Sequence, residues 1–339
     1  MLIFLLSLIL SYDTIIKQDY TKPPYRITPG VIELIASISE MIGKVDSSIL
    51  AKPGAELRKR NRIRTIQSSC AIEGNSLTLE EVTAIRNNKR VIAPSKDILE
   101  VKNAIAVYDR LDSFNPLSIH SFLQAHNILM NGLVSKPGEF RTVSAGVFKG
   151  SVPVHIAPPA QMVRSHMNNL FRYLKADKDF PLIKSCVFHY ETEFVHPFLD
   201  GNGRMGRLWQ TMLLSQYSQI FEFLPVETLI KAKQSEYYKV LDESDKLGDS
   251  TVFLEFMLQV INESLEELLD EQTGKLTVED RIEIYRTGIG NEPFSRKDYM
   301  KHFRDISSAT ASRYLKWAVG RGILEKTGDK RTTRYRFVK

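Results

Sequence analysis

The residues best suited to chemistry lie in one segment, HPFLDGNGRMGR, at positions 196–207. Its composition predicts that a glycine-rich turn ends and a helix begins near Asn202. The amino terminus of a helix carries about half a positive charge and exposes unpaired N–H groups, so it prefers acids to bases. Arg204 and Arg207 nevertheless fall in the first turns of this helix. We therefore expect an anion from outside the segment to bind there.

The same segment contains the groups that bind a polyphosphate. Gly201, Asn202 and Gly203 can bring backbone N–H groups close to a ligand, because two of the three lack a side chain. Such a nest followed by a helix start is a phosphate cradle. Arg204 and Arg207 lie on one helical face and offer fork-shaped donors to further phosphate oxygens. The expected anion is thus a polyphosphate.

Asp200 and His196 add a metal ligand and a base to this cradle. A lone carboxylate at Asp200 would repel phosphate unless a cation lay between them, and Mg²⁺ is held by one or two carboxylates plus phosphate oxygens. An unperturbed histidine has a pKa near ~6.5, in the range that a general base needs. Together these features point to phosphoryl or nucleotidyl transfer.

Two other interpretations of the segment stay open. Glycine and asparagine make ordinary turns, arginines on helices are usually solvated, and a lone histidine is more often structural than catalytic. A metal hydrolase could instead use His189, Glu193, His196 and Asp200, of which the first two lie four residues apart on one helical face. This arrangement matches none of the helix-borne zinc motifs and leaves both arginines without a role.

The segment resembles the Fic-family signature H-P-F-x-D/E-G-N-G-R-x-x-R at every position. The matching residues are His196, Pro197, Phe198, Asp200, Gly201, Asn202, Gly203, Arg204 and Arg207. The resemblance extends over roughly residues 55–270. It implies a Fic-type helical core with a β-hairpin flap that transfers AMP from Mg-ATP to a Ser, Thr or Tyr hydroxyl of a protein.

The resemblance also implies a role for each residue of the segment. His196 takes the proton of the acceptor hydroxyl, whose oxygen attacks the α-phosphorus in line, and Mg²⁺ on Asp200 neutralises the departing pyrophosphate. Phe198 anchors the loop in the core. The residues implied to contact ATP are His196, Gly201, Asn202, Gly203, Arg204, Met205, Gly206 and Arg207, with Arg204 on the β-phosphate and Arg207 on the γ-phosphate.

Two kinds of relative perform other chemistry. Doc-like proteins phosphorylate their target with ATP held in reverse, but they have a lysine and an altered loop where this chain has Gly203 and Arg204. Phosphocholine transfer is a second variation, which the motif alone does not distinguish from transfer of AMP. We rank transfer of AMP above both.

A second segment, SSCAIEGN at residues 68–75, presents a carboxylate in an unfavourable place. Glu73 is predicted at the end of a helix, where the dipole is negative and an acid costs ~0.3–1 kcal/mol. An exposed glutamate in water is one interpretation. The segment also resembles the Fic inhibitory motif S/T-x-x-x-E-G/N in the class whose inhibitory helix is amino-terminal, which implies that Glu73 pairs with Arg207 and competes with the γ-phosphate. The inhibitory residues are then Ser69, Glu73, Gly74 and Asn75. In some members of the family the same glutamate positions water to remove AMP, so de-AMPylation stays open.

Two further regions are expected to face the nucleotide. Residues 142–156, TVSAGVFKGSVPVHI, are rich in β-branched residues around a glycine turn, which predicts a hairpin. With the preceding PGEFR it is similar to the Fic flap, whose edge can accept an extended target segment; a plain surface hairpin is the alternative. On the resemblance the ATP contacts of these regions are Val147, Phe148, Lys149 and Gly150 on the flap, and Tyr237, Tyr238 and Asp245 beside the adenosine. Adjacent tyrosines on a helix point in different directions, so one of the two can belong to the core.

Helices are predicted for most of the chain, and the fold class is mainly α. Residues 18–30 are proline-rich and are expected to form an extended strap, while Thr78-Leu-Glu-Glu81 is a capping box that opens a helix through Asn87. Other helices are predicted from apolar spacing at 31–47, 55–73, 96–111, 118–132, 159–175, 181–195, 203–217, 226–245 and 250–270. The predicted divisions are an amino-terminal strap and helix (1–54), an inhibitory-helix region (55–95), the catalytic core (96–272) and a carboxy-terminal domain (277–339).

The last 63 residues differ from the rest in charge and pattern, with 15 Lys and Arg against 8 Asp and Glu in residues 277–339. A short helix, a turn, a longer helix from about Ser307 and two strands follow one another, which is the order of a winged helix-turn-helix. The basic residues predicted to contact nucleic acid are Arg313, Lys316, Arg321, Lys330, Arg331 and Arg334. Winged helices also bind proteins or dimerise, so a protein partner stays open, as does a DNA-binding regulator that senses ATP without turnover.

Bulk properties are those of an ordinary soluble protein, with 43% hydrophobic and 25% charged residues among 339. Cys70 and Cys186 form neither a CxxC pair nor a disulfide framework, which favours a cytoplasmic location. The apolar residues 1–10 are too few to cross a bilayer, which takes ~20. They also lack the flanks of a signal peptide, so a misplaced translation start or a packed strand is the expectation. Similar proteins commonly form homodimers, which we expect here too.

Overall fold

A computed structural model describes residues 20–46, 55–144, 146–149, 152–273, 278–303, 306–329 and 332–338. The described residues divide into two compact units, one formed by those within 20–40 and 55–264 and the other by those within 41–46 and 265–338. The predicted segment 55–95 thus lies in the same unit as residues 96–264 of the predicted core, whereas residues 265–272 of that core belong to the second unit. Among the described residues, no helix has the length and apolar character needed to cross a membrane.

The described elements are predominantly helices. In chain order they are α1 (Pro29–Asp46), α2 (Ala55–Ile72), α3 (Leu79–Arg86), α4 (Ser95–Tyr108), α5 (Ile119–Leu129), β1 (Gly146–Lys149), β2 (Val152–Ile156), α6 (Ala160–Ala176), α7 (Pro181–Val195), α8 (Asn202–Ser215), α9 (Val226–Ala232), α10 (Gln234–Leu247), α11 (Thr251–Thr273), α12 (Val278–Ile289), α13 (Arg296–His302), α14 (Ser308–Gly320), β3 (Leu324–Thr327) and β4 (Arg334–Phe337). Short 3₁₀ turns lie at Leu111–Ser113 and Gln219–Glu222.

Most predicted helices are present, with two differences. The helix predicted over 226–245 is two helices, because the backbone of Lys233 leaves the helical region (φ −104°, ψ 26°) between α9 and α10. No glycine or proline marks this break. Helix α12 was not predicted either, although Val278, Ile282, Tyr285 and Ile289 have the apolar spacing of a helix.

Helices α7 and α8 pack against each other at the centre of the first unit. Helix α7 begins with Pro181, whose missing N–H costs nothing at that position, and every residue of α8 from Asn202 to Leu214 is buried. Around them lies an aromatic cluster, in which Phe122 packs against Phe171, Phe188, Phe198 and Trp209. The loop between α7 and α8 is therefore held at both ends by buried helices.

Helix α2 ends as predicted. Gly74 adopts the left-handed conformation (φ 91°), which costs glycine little, and the N–H of Asn75 donates to the carbonyl of Cys70 (3.1 Å). The predicted capping box at the start of α3 is confirmed, with Thr78 and Glu81 each accepting the other's backbone N–H. These two local structures set the course of the chain between α2 and α3.

The predicted strap contains no helix or strand over residues 21–28, and the predicted hairpin is present. The strap is fastened by hydrogen bonds from Lys22 and Tyr25 to Asp179. Strands β1 and β2 pair antiparallel, with an irregularity between Val147 and Phe148. Of the predicted flap contacts, Gly150 lies outside the described residues, and the side chains of Val147, Phe148 and Lys149 are not described.

In the second unit, α13, α14 and the antiparallel pair β3–β4 follow one another in the predicted order. Phe294, just before α13, bridges to Tyr335 on β4, and Tyr285, Tyr299 and Leu315 belong to the buried core. Ser295 caps α13 and Ser307 caps α14. Lys330 and Arg331 lie outside the described residues. The assignment of this unit as a winged helix stays a prediction.

Candidate active site

The loop between α7 and α8 reverses direction through two left-handed residues. His196 ends α7 with φ 48° and ψ 59°, and its N–H donates to the carbonyl of Thr192 (3.1 Å). Gly201 opens α8 with φ 87°. A left-handed backbone costs a residue with a side chain about 1 kcal/mol, so the histidine needs support from its surroundings.

Arg141 provides that support. Its guanidinium is buried and donates to the carbonyls of His196 (2.7 Å), Val143 (2.9 Å), Pro158 (2.6 Å) and Val195 (3.1 Å). One side chain thus joins the end of α7 to both ends of the flap. The sequence contains this arginine in the PGEFR segment but has no local pattern that predicts its four partners.

The middle of the loop is anchored by aromatic stacking. Phe198 is fully buried, which confirms its predicted anchoring role, and the ring of His126 lies parallel to it at 3.5 Å between centroids. The N–H of Gly138 donates to His126 Nδ1 (2.8 Å), so Nε2–H donates to the carbonyl of Asp200 (3.0 Å). Burial lowers the pKa of His126 to about 4, which keeps this tautomer neutral. The only signal in the sequence is a histidine on the apolar face of α5.

The Asn202 side chain hydrogen-bonds to the backbone of the loop and so stabilises its turn. Its Oδ1 accepts from the N–H of Phe198 (2.9 Å), and its Nδ2 donates to the carbonyl of the same residue (3.0 Å). The side chain is buried. The predicted contact of Asn202 with phosphate would therefore have to use its backbone N–H or the remaining amide hydrogen.

At two positions of the loop, neighbouring atoms lie so close that a side chain would clash with them, which explains the glycines. A Cβ at Gly201 would lie 2.7 Å from Met130 Sδ. At Gly203 a Cβ would overlap the Glu73 carboxylate and lie 2.9 Å from Arg207 Nη1 and 3.0 Å from Glu193 Oε1. The missing side chain at Gly203 thus leaves room for the Glu73 carboxylate.

Arg207 is held by residues of the predicted inhibitory motif. Its Nη2 donates to Glu73 Oε1 (2.7 Å) and to the carbonyl of Ser69 (3.0 Å), and its Nε donates to Ser69 Oγ (3.2 Å). The Arg207 side chain is only 1% exposed. Burial is the largest single effect and lowers the pKa of Arg207, but the charge and hydrogen bond of Glu73 together with the charges of Tyr237 and Glu193 outweigh it and raise that pKa. Among the described residues no acceptor lies within hydrogen-bond distance of the buried Nη1, so the guanidinium has a donor to spare for another anion.

Arg204 is held by two carboxylates. Its Nη1 pairs with Glu100 of α4, and its Nη2 donates to Asp200 Oδ1 (2.7 Å). Both Arg204 and Glu100 are buried. Glu100 was not predicted from the sequence, although a carboxylate at helical spacing from the buried Ala104 and Val107 is a signal for a buried charge.

Asp200 fits the predicted metal ligand in part. Its side chain is 47% exposed, and Oδ1 accepts from the N–H of Gly201 (2.6 Å) as well as from Arg204. Within the described ranges, no three His, Cys, Asp or Glu side chains form a group that could hold a metal by themselves. A single half-exposed carboxylate suits Mg²⁺ that takes its other ligands from phosphate and water.

Several predicted nucleotide contacts serve the protein's own packing. The Met205 side chain is buried and its N–H donates to the carbonyl of Gly201 (3.0 Å), and a Cβ at Gly206 would lie 2.7 Å from the His189 ring. These two residues fit α8 against α7. Tyr237 is buried, with its hydroxyl between His189 Nε2 (3.0 Å) and Glu193 Oε1 (3.2 Å), so it is the tyrosine that belongs to the core.

Tyr238 and Asp245 are the other two residues predicted on the adenosine side. Tyr238 is 47% exposed, and its hydroxyl donates to the carbonyl of Ile72 (3.3 Å) at the end of α2. Asp245 accepts from the Tyr190 hydroxyl (2.9 Å). Burial, followed by the charge of Asp245, raises the pKa of Glu191 to about 7. Tyr190 and Glu191 line a hollow of about 400 Å³ beside the strap.

The alternative of a metal hydrolase conflicts with the surroundings of His189. This ring is fully buried, and its two nitrogens contact Gln210 Oε1 (2.7 Å) and the Tyr237 hydroxyl (3.0 Å). Both nitrogens are engaged by the protein, so His189 has no lone pair to offer a metal. Its role is to join α7, α8 and α10.

We expect His189 to make the protein less stable in acid. Burial, with a smaller effect of Arg207, lowers the pKa of His189 to about 3, whereas an unfolded chain titrates near ~6.5. Stability is therefore complete above about pH 6.5 and is lost as the pH falls towards the folded pKa. The free energy of unfolding in urea should drop by about 2 kcal/mol between roughly pH 7 and pH 5 because of this residue.

A His189→Gln variant tests this expectation by the slope of its stability against pH. The slope should flatten by the stated amount even if the variant is less stable throughout. His120→Gln, at an exposed position, is the matched control and should keep the slope of the wild type. An unchanged slope in the His189 variant would contradict a neutral, buried ring.

Fold and site together define a helical protein with a glycine-rich loop at a helix amino terminus and the carboxylate of Glu73 against Gly203 and Arg207 of that region. A family model described as the Fic/DOC family matches residues 116–214. A crystal structure of a Fic family protein from Desulfovibrio desulfuricans G20 is 40% identical, with a TM-score of 0.72, over 94% of this chain and 98% of that one. The chain belongs to the Fic family.

Curated relatives carry the names of enzymes. "Protein adenylyltransferase Fic" from Nematostella vectensis is 27% identical over 266 residues, 73% of this chain and 59% of the relative. "Protein adenylyltransferase fic-1" from Caenorhabditis elegans is 28% identical over 238 residues, 63% of this chain and 45% of the relative. The chain thus spans about half the length of these relatives. The structure of Fic-1 from C. elegans shares the fold, at 21% identity and a TM-score of 0.59 over 73% of this chain and 74% of that one.

Proposed function

We propose that this protein transfers AMP from Mg-ATP to a hydroxyl side chain of a protein, itself included, and that Glu73 restrains the reaction. The observation that carries the proposal is the Glu73 carboxylate, which lies against Gly203 and 2.7 Å from Arg207. The Glu73 carboxylate thus lies beside the helix amino terminus and arginines that attract an anion. We infer that the triphosphate of ATP replaces this carboxylate when the nucleotide binds. The names of the relatives support AMP as the transferred group.

Each residue of the loop has a role in this proposal. His196, fixed by Arg141 through its own carbonyl, takes the proton of the acceptor hydroxyl as the general base. Arg207 releases Glu73 and binds the γ-phosphate, and Arg204 binds the β-phosphate. Mg²⁺ bound with the nucleotide on Asp200 would supply positive charge to the phosphate oxygens.

The surroundings of the loop complete the proposal. Tyr238 and Asp245 are the proposed contacts of the adenosine, and the flap presents the target segment to His196 through its strand edge. A homodimer and a cytoplasmic location remain part of the proposal, the latter supported by the buried free thiols of Cys70 and Cys186. Hydrolytic removal of AMP from the target, with Glu73 positioning the attacking water and AMP as the released product, is the alternative reaction of the same site.

Mass spectrometry tests the transferred group. The Glu73→Gly protein is incubated with Mg-ATP, digested, and searched for adducts on Ser, Thr and Tyr. The expected adduct has the mass of one AMP residue on a hydroxyl side chain. An adduct with the mass of one phosphate would instead support the Doc-like reaction, and the absence of any adduct, with no added protein labelled either, would contradict transfer altogether.

A second candidate function, DNA binding, rests on helix α14. Arg313, Lys316 and Arg321 are exposed and, with Trp317 and Gly320, line a hollow of about 390 Å³ on one face of the helix. Arg313 and Lys316 lie three residues apart on one helical face, and Arg321 follows the last residue of the helix, so the three cations form a row beside this hollow. Such a row, with Arg334 on β4, suits a phosphate backbone. A regulator that senses ATP without turnover is the corresponding rival to the enzyme.

Binding of a labelled random-sequence DNA duplex should weaken by about 100-fold between roughly 50 and 200 mM salt, since four phosphate contacts release about four counterions. Lys316→Ala should lower the slope of log affinity against log salt by about one. Lys301→Ala, an exposed lysine on α13, is the matched control and should leave the slope unchanged. Salt-independent binding, or none, would favour a protein partner for this unit.

A further inference from the structure

Glu100 is a buried carboxylate that contacts both the anion-binding loop and the segment that carries Glu73. It lies on α4 and is 5% exposed. One carboxylate oxygen pairs with Arg204 Nη1, and the other accepts from Asn75 Nδ2 (2.7 Å). A charge so deeply buried is tolerated only when it is paired and hydrogen-bonded. Glu100 therefore depends on both of these partners.

The pair determines the direction of the Arg204 guanidinium. This side chain presents its donors in a rigid plane, and the two carboxylates hold one edge of that plane, Glu100 at Nη1 and Asp200 at Nη2. Asp200 is half-exposed and belongs to the loop itself, whereas Glu100 comes from a separate, packed helix. Glu100 thus fixes the guanidinium relative to the body of the unit.

Asn75 connects this pair to the inhibitory segment. Its Nδ2 also donates to the carbonyl of Asp97 (3.1 Å), and its Oδ1 accepts from the N–H of Leu77 (3.1 Å), so its side chain is held in place. Asn75 follows Glu73 by two residues. The short segment 73–75 therefore contacts Arg207 directly through Glu73 and reaches Arg204 through Asn75 and Glu100.

We propose that Glu100 is a positioning residue that holds Arg204 towards the β-phosphate of the nucleotide, and that Asn75 couples this orientation to the position of Glu73. The proposal rests on the proposed function, since it needs a nucleotide with two or more phosphates in the loop. It goes beyond that function because it assigns to the inhibitory segment a second contact, one that supports binding of the nucleotide while Glu73 opposes it.

The test uses the Glu73→Gly protein, in which the loop is open to nucleotide, with a further Glu100→Gln change. An amide can accept from Arg204 or from Asn75 but cannot serve both as the carboxylate does. The KM for ATP should rise about tenfold with kcat nearly unchanged, because the contact of Arg204 with the β-phosphate is present before and during the reaction. Binding of Mg-ADP, measured by calorimetry, should weaken by a similar factor.

A double-mutant cycle separates positioning from general damage. In a protein that already carries Arg204→Ala, the Glu100→Gln change should have no further effect on the affinity for Mg-ADP, because its effect passes through Arg204. The Asn75→Ala change keeps the Glu100–Arg204 pair and should weaken the binding of Mg-ADP by about threefold. This variant tests the proposal if the Glu100 variant fails to fold. Glu227→Gln is the matched control, since Glu227 is buried on α9 beside Tyr108 and Thr211.

The outcomes decide between this inference and the proposed function. Unchanged affinity in both the Glu100 and Asn75 variants, or an equal loss with and without Arg204, overturns the inference. Weaker binding of Mg-ADP without any transfer of AMP supports the inference and contradicts the enzyme. If the Glu73→Gly protein binds no nucleotide, both are overturned.

Discussion

In the presence of Mg-ATP, the Glu73→Gly protein is expected to label itself with AMP about 30- to 100-fold faster than the wild-type protein. Breaking a buried ion pair costs about 3–5 kcal/mol. Because the Glu73 side chain is 28% exposed, solvent screening reduces the cost to about 2–3 kcal/mol. In the wild-type protein the ion pair between Glu73 and Arg207 must break before the γ-phosphate can bind Arg207. In the Glu73→Gly variant this pair is absent, so its cost does not oppose binding. Incorporation of AMP labelled on the α-phosphate measures the difference.

Two further variants show whether charge or bulk is responsible. Glu73→Gln keeps the size and a hydrogen-bond acceptor but removes the charge, so we expect a rate between those of the wild type and the glycine variant. Glu236→Gly removes an exposed glutamate from the nearby helix α10 and should not raise labelling. Equal incorporation by the wild-type and Glu73→Gly proteins would remove the inhibitory role of Glu73.

The second large effect is expected from His196→Ala, introduced into the Glu73→Gly protein. Loss of a general base typically lowers the rate by about 10²–10⁴-fold, and the position of this imidazole is set by a strained backbone that Arg141 supports. Alanine tolerates the left-handed backbone no better than histidine, so the loop has no reason to rearrange in its favour. We expect labelling to fall to the background of the assay.

Binding and chemistry are separated by measuring nucleotide affinity in the same variant. Mg-ADP should bind to the His196→Ala protein with nearly the affinity of its parent, because the arginines and the glycine nest are untouched. His120→Ala, at an exposed position on α5, should keep full activity. Labelling that survives in the His196 variant would assign the base elsewhere, and a parallel loss of Mg-ADP binding would show a structural role instead.

Much of the loop was predictable from the sequence because its structure is local. Glycines at positions 201 and 203, the helix start near Asn202, the end of α2 at Gly74 and the capping box at Thr78 are each defined by residues within about five positions of one another. Backbone sterics and short-range hydrogen bonds decide such structures before any distant part of the chain is in place. The pairing of Glu73 with Arg207 spans 134 positions, and only the family resemblance led to it.

Tertiary contacts decided which polar side chains serve the site and which serve the core. Tyr237 and Tyr238 are indistinguishable by local pattern, yet packing buries the first against His189 and leaves the second half-exposed. Glu100 and Arg141 meet their partners across 104 and 55 positions respectively. Residue spacing along the chain does not predict such long-range contacts, because they depend on how separate helices pack. The sequence by itself thus determined the glycine turn, the helix start and two arginines that require a counter-charge, because these features are local; the packing of α4 and α2 around α8 determined which carboxylates lie against those arginines.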